Sequence, residues 1–210
     1  MASYLNNYKK LNKFNVPRET YNVLDNFRKF VIDKNREINL ISRNTEDNFI
    51  ERHIIDCAQA IDFIDLNSKK CTDIGSGAGL PGLVLAIILR EKKIKVKMNL
   101  YEKSHHKGKF LSHISKKLKL DVEIFHKDIF KERNLNTGTI IVRAFKPLPT
   151  ILDLVEKNFK NYKNLVVFMG KNGKQLLEDS FKKWKFEYKE KRSLTSKDSF
   201  LINIKNIKKK

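Results

Sequence analysis

Cys71-Thr72-Asp73-Ile74-Gly75-Ser76-Gly77-Ala78-Gly79-Leu80-Pro81-Gly82 is the stretch that decides the fold. It begins as the end of a strand and then loses its side chains. Leu83-Val84-Leu85-Ala86-Ile87-Ile88-Leu89 follows, an apolar run long enough for a helix. Glycines cluster like this where a backbone turns tightly or lets a ligand come close. Pro81 suits the first turn of the helix that follows. A strand, a glycine turn and a helix in that order form the opening unit of an open α/β sheet, and ligands of such sheets bind at the carboxyl ends of the strands.

The flanking sequence repeats this rhythm. Downstream, strands are expected over about 95–102, 122–125, 139–143 and 165–169, with helices over about 105–120, 147–159 and 174–183. Strand and helix in alternation predict a mainly parallel sheet with helices on both faces. The segments 185–188 and 199–204 read as two further strands closing the sheet at one edge, and Lys208-Lys209-Lys210 reads as a frayed tail. Upstream, the spacing is helical. Val23, Phe27, Phe30 and Val31 share one face of a helix over about 18–37. A second helix is expected to start near Asn44, capped by its polar residues, carrying Phe49, Ile50, Ile54, Cys57, Ile61 and Ile64 inward.

Three acids mark the ends of three successive strands. Asp73 precedes the glycines, Glu102 ends the next strand, and Asp128 follows the third with Lys127 beside it. A pyrophosphate would bind badly next to Asp73, whereas a ligand carrying an amino group would bind well. A carboxylate at Glu102 accepts both ribose hydroxyls of an adenosine, and Asp128 can accept from an adenine amino group. Together with Gly75, Ser76, Gly77, Gly79 and Leu80 these describe an adenosine lying across the sheet, with S-adenosylmethionine a better fit than NAD. The plain alternatives are a solvated loop acid at Asp128 and a purely structural glycine turn.

Asp73 to Gly82, with Asn39-Leu40-Ile41-Ser42 and Glu51-Arg52-His53-Ile54-Ile55-Asp56 upstream and Arg143-Ala144-Phe145 downstream, resembles the bacterial small-subunit ribosomal RNA guanine-N7 methyltransferase family, also called glucose-inhibited division protein B. The resemblance spans about residues 39–173. It implies a class I methyltransferase (Rossmann-like) fold with a helical N-terminal extension, here residues 1–68 packed on a cofactor-binding domain of residues 69–210. It implies methyl transfer from S-adenosylmethionine to N7 of a guanine in the decoding region of 16S rRNA. By that resemblance Gly75 and Leu80 line the methionine part of the cofactor, Glu102 is the ribose acid, Lys127 and Asp128 lie on the adenine side, and Arg143 sits near cofactor and substrate as the catalytic candidate. The family's Lys-Gly pair after the fifth strand is altered here to Gly170-Lys171.

The residue inventory agrees with such a reaction. Methyltransferases acting on exocyclic amines often carry an Asn/Asp-Pro-Pro-aromatic loop, which is absent. Neither Cys57 nor Cys71 follows a proline, as a nucleophile for pyrimidine C5 would. Guanine N7 has a free lone pair and no proton to remove, so no general base is required, and in-line placement supplies the rate. The 210 residues suit one main domain with an extension. Their 44 basic and 24 acidic side chains give a net charge of +20, in part the lysine excess of an AT-rich genome and in part the sign of a polyanionic partner, with a membrane surface the weaker alternative; the resemblance makes that partner 16S rRNA or the small ribosomal subunit. The polar start Met1-Ala2-Ser3-Tyr4-Leu5 and the lack of a long apolar span predict a cytoplasmic chain with no membrane segment, its cysteines reduced. No metal is expected, and a monomer is. A noncatalytic ribosome-binding factor with the same fold and a small NAD(P) oxidoreductase are the competing readings.

Overall fold

The structure, a computed structural model, describes residues 4–210; Met1, Ala2 and Ser3, part of the polar start and of the expected extension, lie outside the described residues. The chain opens with a 3-10 helix, Tyr4–Phe14, followed by α1, Thr20–Asn35. The expected second helix is broken. A 3-10 turn at Arg43–Thr45 is followed by a π-helical stretch, Ile50–Ile55, the single α-turn α2, Asp56–Ala58, and a 3-10 stretch, Gln59–Phe63. Phe49, Ile54, Cys57, Ile61 and Ile64 are buried as expected, and Ile50 is half-buried. On α1 the buried face is Leu24, Phe27 and Val31, while Val23 and Phe30 are half-buried and pack against it.

From there strand and helix alternate: β1 (Lys70–Ile74), α3 (Gly82–Glu91), β2 (Lys97–Tyr101), α4 (His105–Lys117), β3 (Val122–Phe125), β4 (Leu135–Asn136), β5 (Thr139–Val142), α5 (Leu148–Asn158), β6 (Phe159–Asn161), β7 (Asn164–Met169), α6 (Gly173–Phe181), β8 (Trp184–Arg192) and β9 (Phe200–Lys209). Seven strands form one sheet in the order β3-β2-β1-β5-β7-β9-β8, and β4 pairs with β6 separately. The first five of the seven run parallel; β9 is antiparallel to β7 and to β8. Chain order reverses at β1, with β2 on one side and β5 on the other. The glycine turn therefore leaves the sheet where a crevice opens.

The tail is not frayed. Lys185 pairs with Lys208 and Trp184 with Lys209, and Lys210 donates its backbone N–H to the Lys183 carbonyl. A row of lysines reads as solvated sequence, but their backbone groups complete the edge ladder while the side chains stay in water.

α3 is apolar on every side because it is covered on every side. All residues from Leu83 to Leu89 are buried. One hydrophobic cluster joins Tyr8 and Leu11 of the first helix, Leu24 of α1 and Ile54 to Leu83–Leu89 and the sheet residues Met98 and Leu100. A second fills the other face, with Leu152 and Val155 of α5 against Ile140, Leu165 and Ile202. Each such side chain contributes about 1.5–3 kcal/mol on burial. The helices of residues 4–63 thus share one core with α3 and the sheet. The cysteines Cys57 and Cys71 are free and buried within it.

Candidate functional site

The turn after β1 is held from below. The Gly75 and Ser76 N–H groups both donate to the Tyr101 carbonyl at the end of β2, at 2.9 and 3.0 Å. Gly75, Gly77 and Gly79 have φ of +71, +55 and +86°, a region that costs other L-residues roughly 1–2 kcal/mol. At Gly75 a Cβ would lie 2.4 Å from the Phe145 ring, so that ring packs directly on the backbone. At Gly77 a Cβ would meet only the Gly75 carbonyl at 3.8 Å. The missing side chain there leaves open space above the turn.

That space is a cavity of about 480 Å³, lined by Gly75, Ser76, Gly77 and Leu80 from the turn, Glu102 after β2, Lys127 and Asp128 after β3, and Arg143 after β5. Eight of the ten residues singled out from the sequence meet here, drawn from the ends of three strands and the turn. Asp73 and Gly79 do not line it. Asp73 is 1% exposed, and its Oδ2 accepts the Gly82 N–H at 3.0 Å, tying strand end to helix start beneath the turn. The sequence placed Asp73 against the ligand; in the structure it underpins the loop. Its Oδ1 has no partner, and burial pushes its carboxyl up to about 7. Gly79 serves the turn, since a Cβ there would strike Leu83.

Glu102 sits at the cavity floor. Its Oε2 accepts the Gly77 N–H at 2.9 Å and its Oε1 the Ser104 N–H at 2.7 Å. Each carboxylate oxygen keeps a second lone pair for a ligand hydroxyl. Asp128 caps the short 3-10 turn Ile129–Lys131, its Oδ1 accepting the Phe130 N–H at 3.1 Å. Phe130 stacks on Phe145 with ring centroids 5.9 Å apart, and both line the cavity.

Arg143 faces the extension. Its Nε donates to Asp56 Oδ2 at 3.1 Å, and its terminal nitrogen to the Arg52 carbonyl at 2.9 Å and His53 Nδ1 at 3.4 Å. Asp56 Oδ1 accepts Thr195 Oγ1 at 2.9 Å and Gln59 Nε2 at 3.2 Å. This one carboxylate therefore joins the extension, the end of β5 and the β8–β9 connection. With Nδ1 accepting from Arg143, His53 carries its proton on Nε2 and donates it to Thr45 Oγ1 at 2.8 Å. Burial, then the neighbouring Arg143 and Arg52 charges, pull its pKa down to about 4, so the ring is neutral at physiological pH.

The sequence did not mark the wall contributed by Leu40, Ile41 and Ser42 as part of the site. The buried Asn35 at the end of α1 fixes it, its Oδ1 accepting the Leu40 and Ile41 N–H groups at 2.8 and 3.0 Å. The signal was present in the Asn39-Leu40-Ile41-Ser42 motif, but spacing along the chain says nothing of which cavity a loop reaches. Phe130 and Phe145 were missed for the same reason. Lys171 lies exposed beyond β7 and lines neither this cavity nor the one next to it. Among the described residues no three His, Cys, Asp or Glu side chains gather as a metal group, and no helix is long and apolar enough to cross a membrane.

Comparison with known proteins gives the arrangement a lineage. Among solved structures, an S-adenosylmethionine-dependent methyltransferase from Aquifex aeolicus matches with a TM-score of 0.55 at 14% identity, covering 75% of this chain and 92% of that one. The M. capricolum protein TrmK, solved with S-adenosyl-homocysteine, matches with a TM-score of 0.53 at 16% identity, covering 71% and 66%. At such identities these likenesses speak for the fold, which is that of the class I methyltransferases. Sequence goes further. A ribosomal RNA small subunit methyltransferase G from Pelagibacter ubique (strain HTCC1062) is 52% identical over the full length of both chains. One from Rickettsia rickettsii (strain Sheila Smith) is 34% identical over 92% of this chain and 98% of its own. The family profile described as rRNA small subunit methyltransferase G matches residues 20–203. The chain belongs to the rRNA small subunit methyltransferase G family.

Proposed function

We infer that the protein transfers a methyl group from S-adenosylmethionine to N7 of a guanine in the decoding region of 16S rRNA. The observation that carries this is Glu102, at the end of β2, bonded to the Gly77 N–H at the floor of a cavity kept open by glycine. Its free lone pairs suit the ribose hydroxyls of an adenosine cofactor, and the cavity volume is of the size that holds one. S-adenosylmethionine, when bound, supplies an electrophilic methyl group on a sulfonium.

The chain's own residues then have limited tasks. Glu102 fixes the ribose. Asp128, with one oxygen committed to its cap, offers the other to the adenine side, and Lys127 lies beside it. The Phe145 ring packed on Gly75 gives the cavity an apolar wall beside the turn. The Arg143 charge is offset by Asp56, so the pair adds little repulsion towards a cationic sulfonium. With that methyl group held in line, the guanine N7 lone pair would accept it directly, so the chain's residues would have only to hold the two reactants in register. No proton moves. That fits the one histidine in the cavity wall, His53, whose two nitrogens are both engaged and which therefore offers no general base.

The test is incubation of the purified protein with small ribosomal subunits lacking the modification and radiolabelled S-adenosylmethionine. Label is expected in 16S rRNA at a single 7-methylguanine, located by strand scission at that base. Absence of label, or label on another atom, would overturn the reading.

A further inference from the structure

Beside the first cavity lies a second, of about 380 Å³. The two share His53, Arg143 and Ala144 as a common wall. A recess of about 100 Å³ also adjoins, but it is lined largely by apolar residues such as Val142, Leu148 and Ile151 and is too small for a purine. The groove of about 510 Å³ between α1 and α4 shares no wall with the first cavity. Of these spaces, the second cavity alone combines adjacency with room for a nucleobase.

We propose that the second cavity is the seat of the target purine, taken out of its stack in the RNA. The inference rests on the methyltransferase reading above. An enzyme that acts on a base draws that base into a pocket and reads it between apolar faces and hydrogen-bonding groups. The second cavity has both. Phe168, Met169 and Phe200 supply apolar surface, and the connection between β8 and β9 supplies the hydroxyls of Ser193, Thr195, Ser196 and Ser199. The only carboxylate in the wall, Asp56, is spent on Arg143, Thr195 and Gln59. Thr195 and Ser193 give their hydroxyl protons to Asp56 and Ser199 gives its proton to Ser196, so the Ser196 O–H is the donor left for the acceptor O6 of guanine, with N7 turned to the shared wall. Arg52, exposed at the rim, suits a flanking phosphate.

The backbone supports this placement. Ala144, in the shared wall, has φ +51° although it is not glycine. Residues held in this region cluster at active sites and ligand clamps. The hydroxyl segment is also built rather than loose: Thr195 donates its backbone N–H to Ser193 Oγ at 3.1 Å, and the Leu194 N–H reaches Gln59 Oε1 at 2.8 Å.

Filling the cavity from two sides tests the proposal. Gly170 lines it, a Cβ there meets nothing within 4 Å, and its φ is not positive, so the backbone accepts a side chain there and Gly170→Phe introduces a ring. Ser196→Phe fills it from the opposite connection, and Lys171→Ala, at an exposed position that lines neither cavity, is the control. Cofactor affinity by calorimetry is expected to stay within about twofold in all three, as for substitutions outside packed cores. Methyl transfer to small subunits at saturating cofactor is expected to fall about 100-fold in both Phe variants and to hold in the Ala control. Wild-type transfer by both Phe variants would overturn the proposal. So would parallel loss of cofactor binding, which would make the space part of the cofactor site, or equal loss in the Ala control. If the unmodified protein itself transfers no methyl, the functional reading falls, and the subsite falls with it.

Discussion

Asp73 and Glu102 are both acids at strand ends, and their surroundings give them opposite duties. Glu102 keeps lone pairs towards the cavity, so Glu102→Ala is expected to weaken S-adenosylmethionine binding by about 1.5–3 kcal/mol, the worth of hydrogen bonds to a charged group; unchanged affinity in calorimetry would remove Glu102 from the cofactor site. Asp73 is sealed beneath the turn, its carboxyl raised by burial to about 7 from 3.8. Between those values the folded protein holds a proton that the unfolded chain has lost, so this group makes stability fall as pH rises through the window. His53, lowered to about 4 from 6.5, acts in the other direction: its contribution is complete above 6.5 and is lost as pH falls towards 4. The two oppose each other from about pH 4 to 6.5. Asp73→Asn keeps an acceptor for Gly82 and removes one side of the balance. Its denaturant-derived stability should rise with pH more steeply than that of the wild type, by up to about 1.4 kcal/mol per pH unit. Parallel profiles would mean that Asp73 is ionised throughout.

At the level of elements, what could be read from the sequence depended on whether a signal is local. β1, β2, β3, β5 and β7 are short apolar or alternating runs bounded by turns, and each appears within about two residues of its expected place. Glu102 and Asp128 were placed at one cavity because strand ends are where such sheets present ligands, and Arg143, which lines the same cavity, was pointed to by the family resemblance. The direction of Asp73 could not, because β1 is buried on both faces and residue parity does not choose between them. The broken helix of residues 43–63 was read as continuous because its wide π and tight 3-10 stretches average out, leaving Ile54, Cys57, Ile61 and Ile64 at helical spacing. β4 and β6, two and three residues long, fall below any periodicity. The tie between elements was equally out of reach: Asp56, Arg143 and Thr195 meet only through the fold. Asp56→Asn and Arg143→Gln should each weaken the docking of the extension and the β8–β9 connection. In a double-mutant cycle of unfolding free energies they should show about 0.5–3 kcal/mol of coupling. Additive effects would mean that the ion pair only decorates the junction.

For the whole molecule, charge and core act on different partners. The core joins extension and sheet in one cluster from Tyr8 to Leu201, while the net charge of +20 is left to the surface. If about six basic side chains meet phosphates, affinity for 16S rRNA should fall roughly a thousandfold between about 50 and 200 mM salt in filter binding; a flat response would show that charge plays no part in holding the RNA. The three-way tie at Asp56 also has a consequence for how the protein is made. Asp56 and its partner Thr195 are 139 positions apart, and a chain emerges from its N-terminus a few residues at a time. While a nascent chain lacks residues 193–199, the glycine turn can form but the wall beside it cannot. The wall at Asp56 therefore stays unfinished until residues 193–199 have been made, long after the glycine turn has emerged.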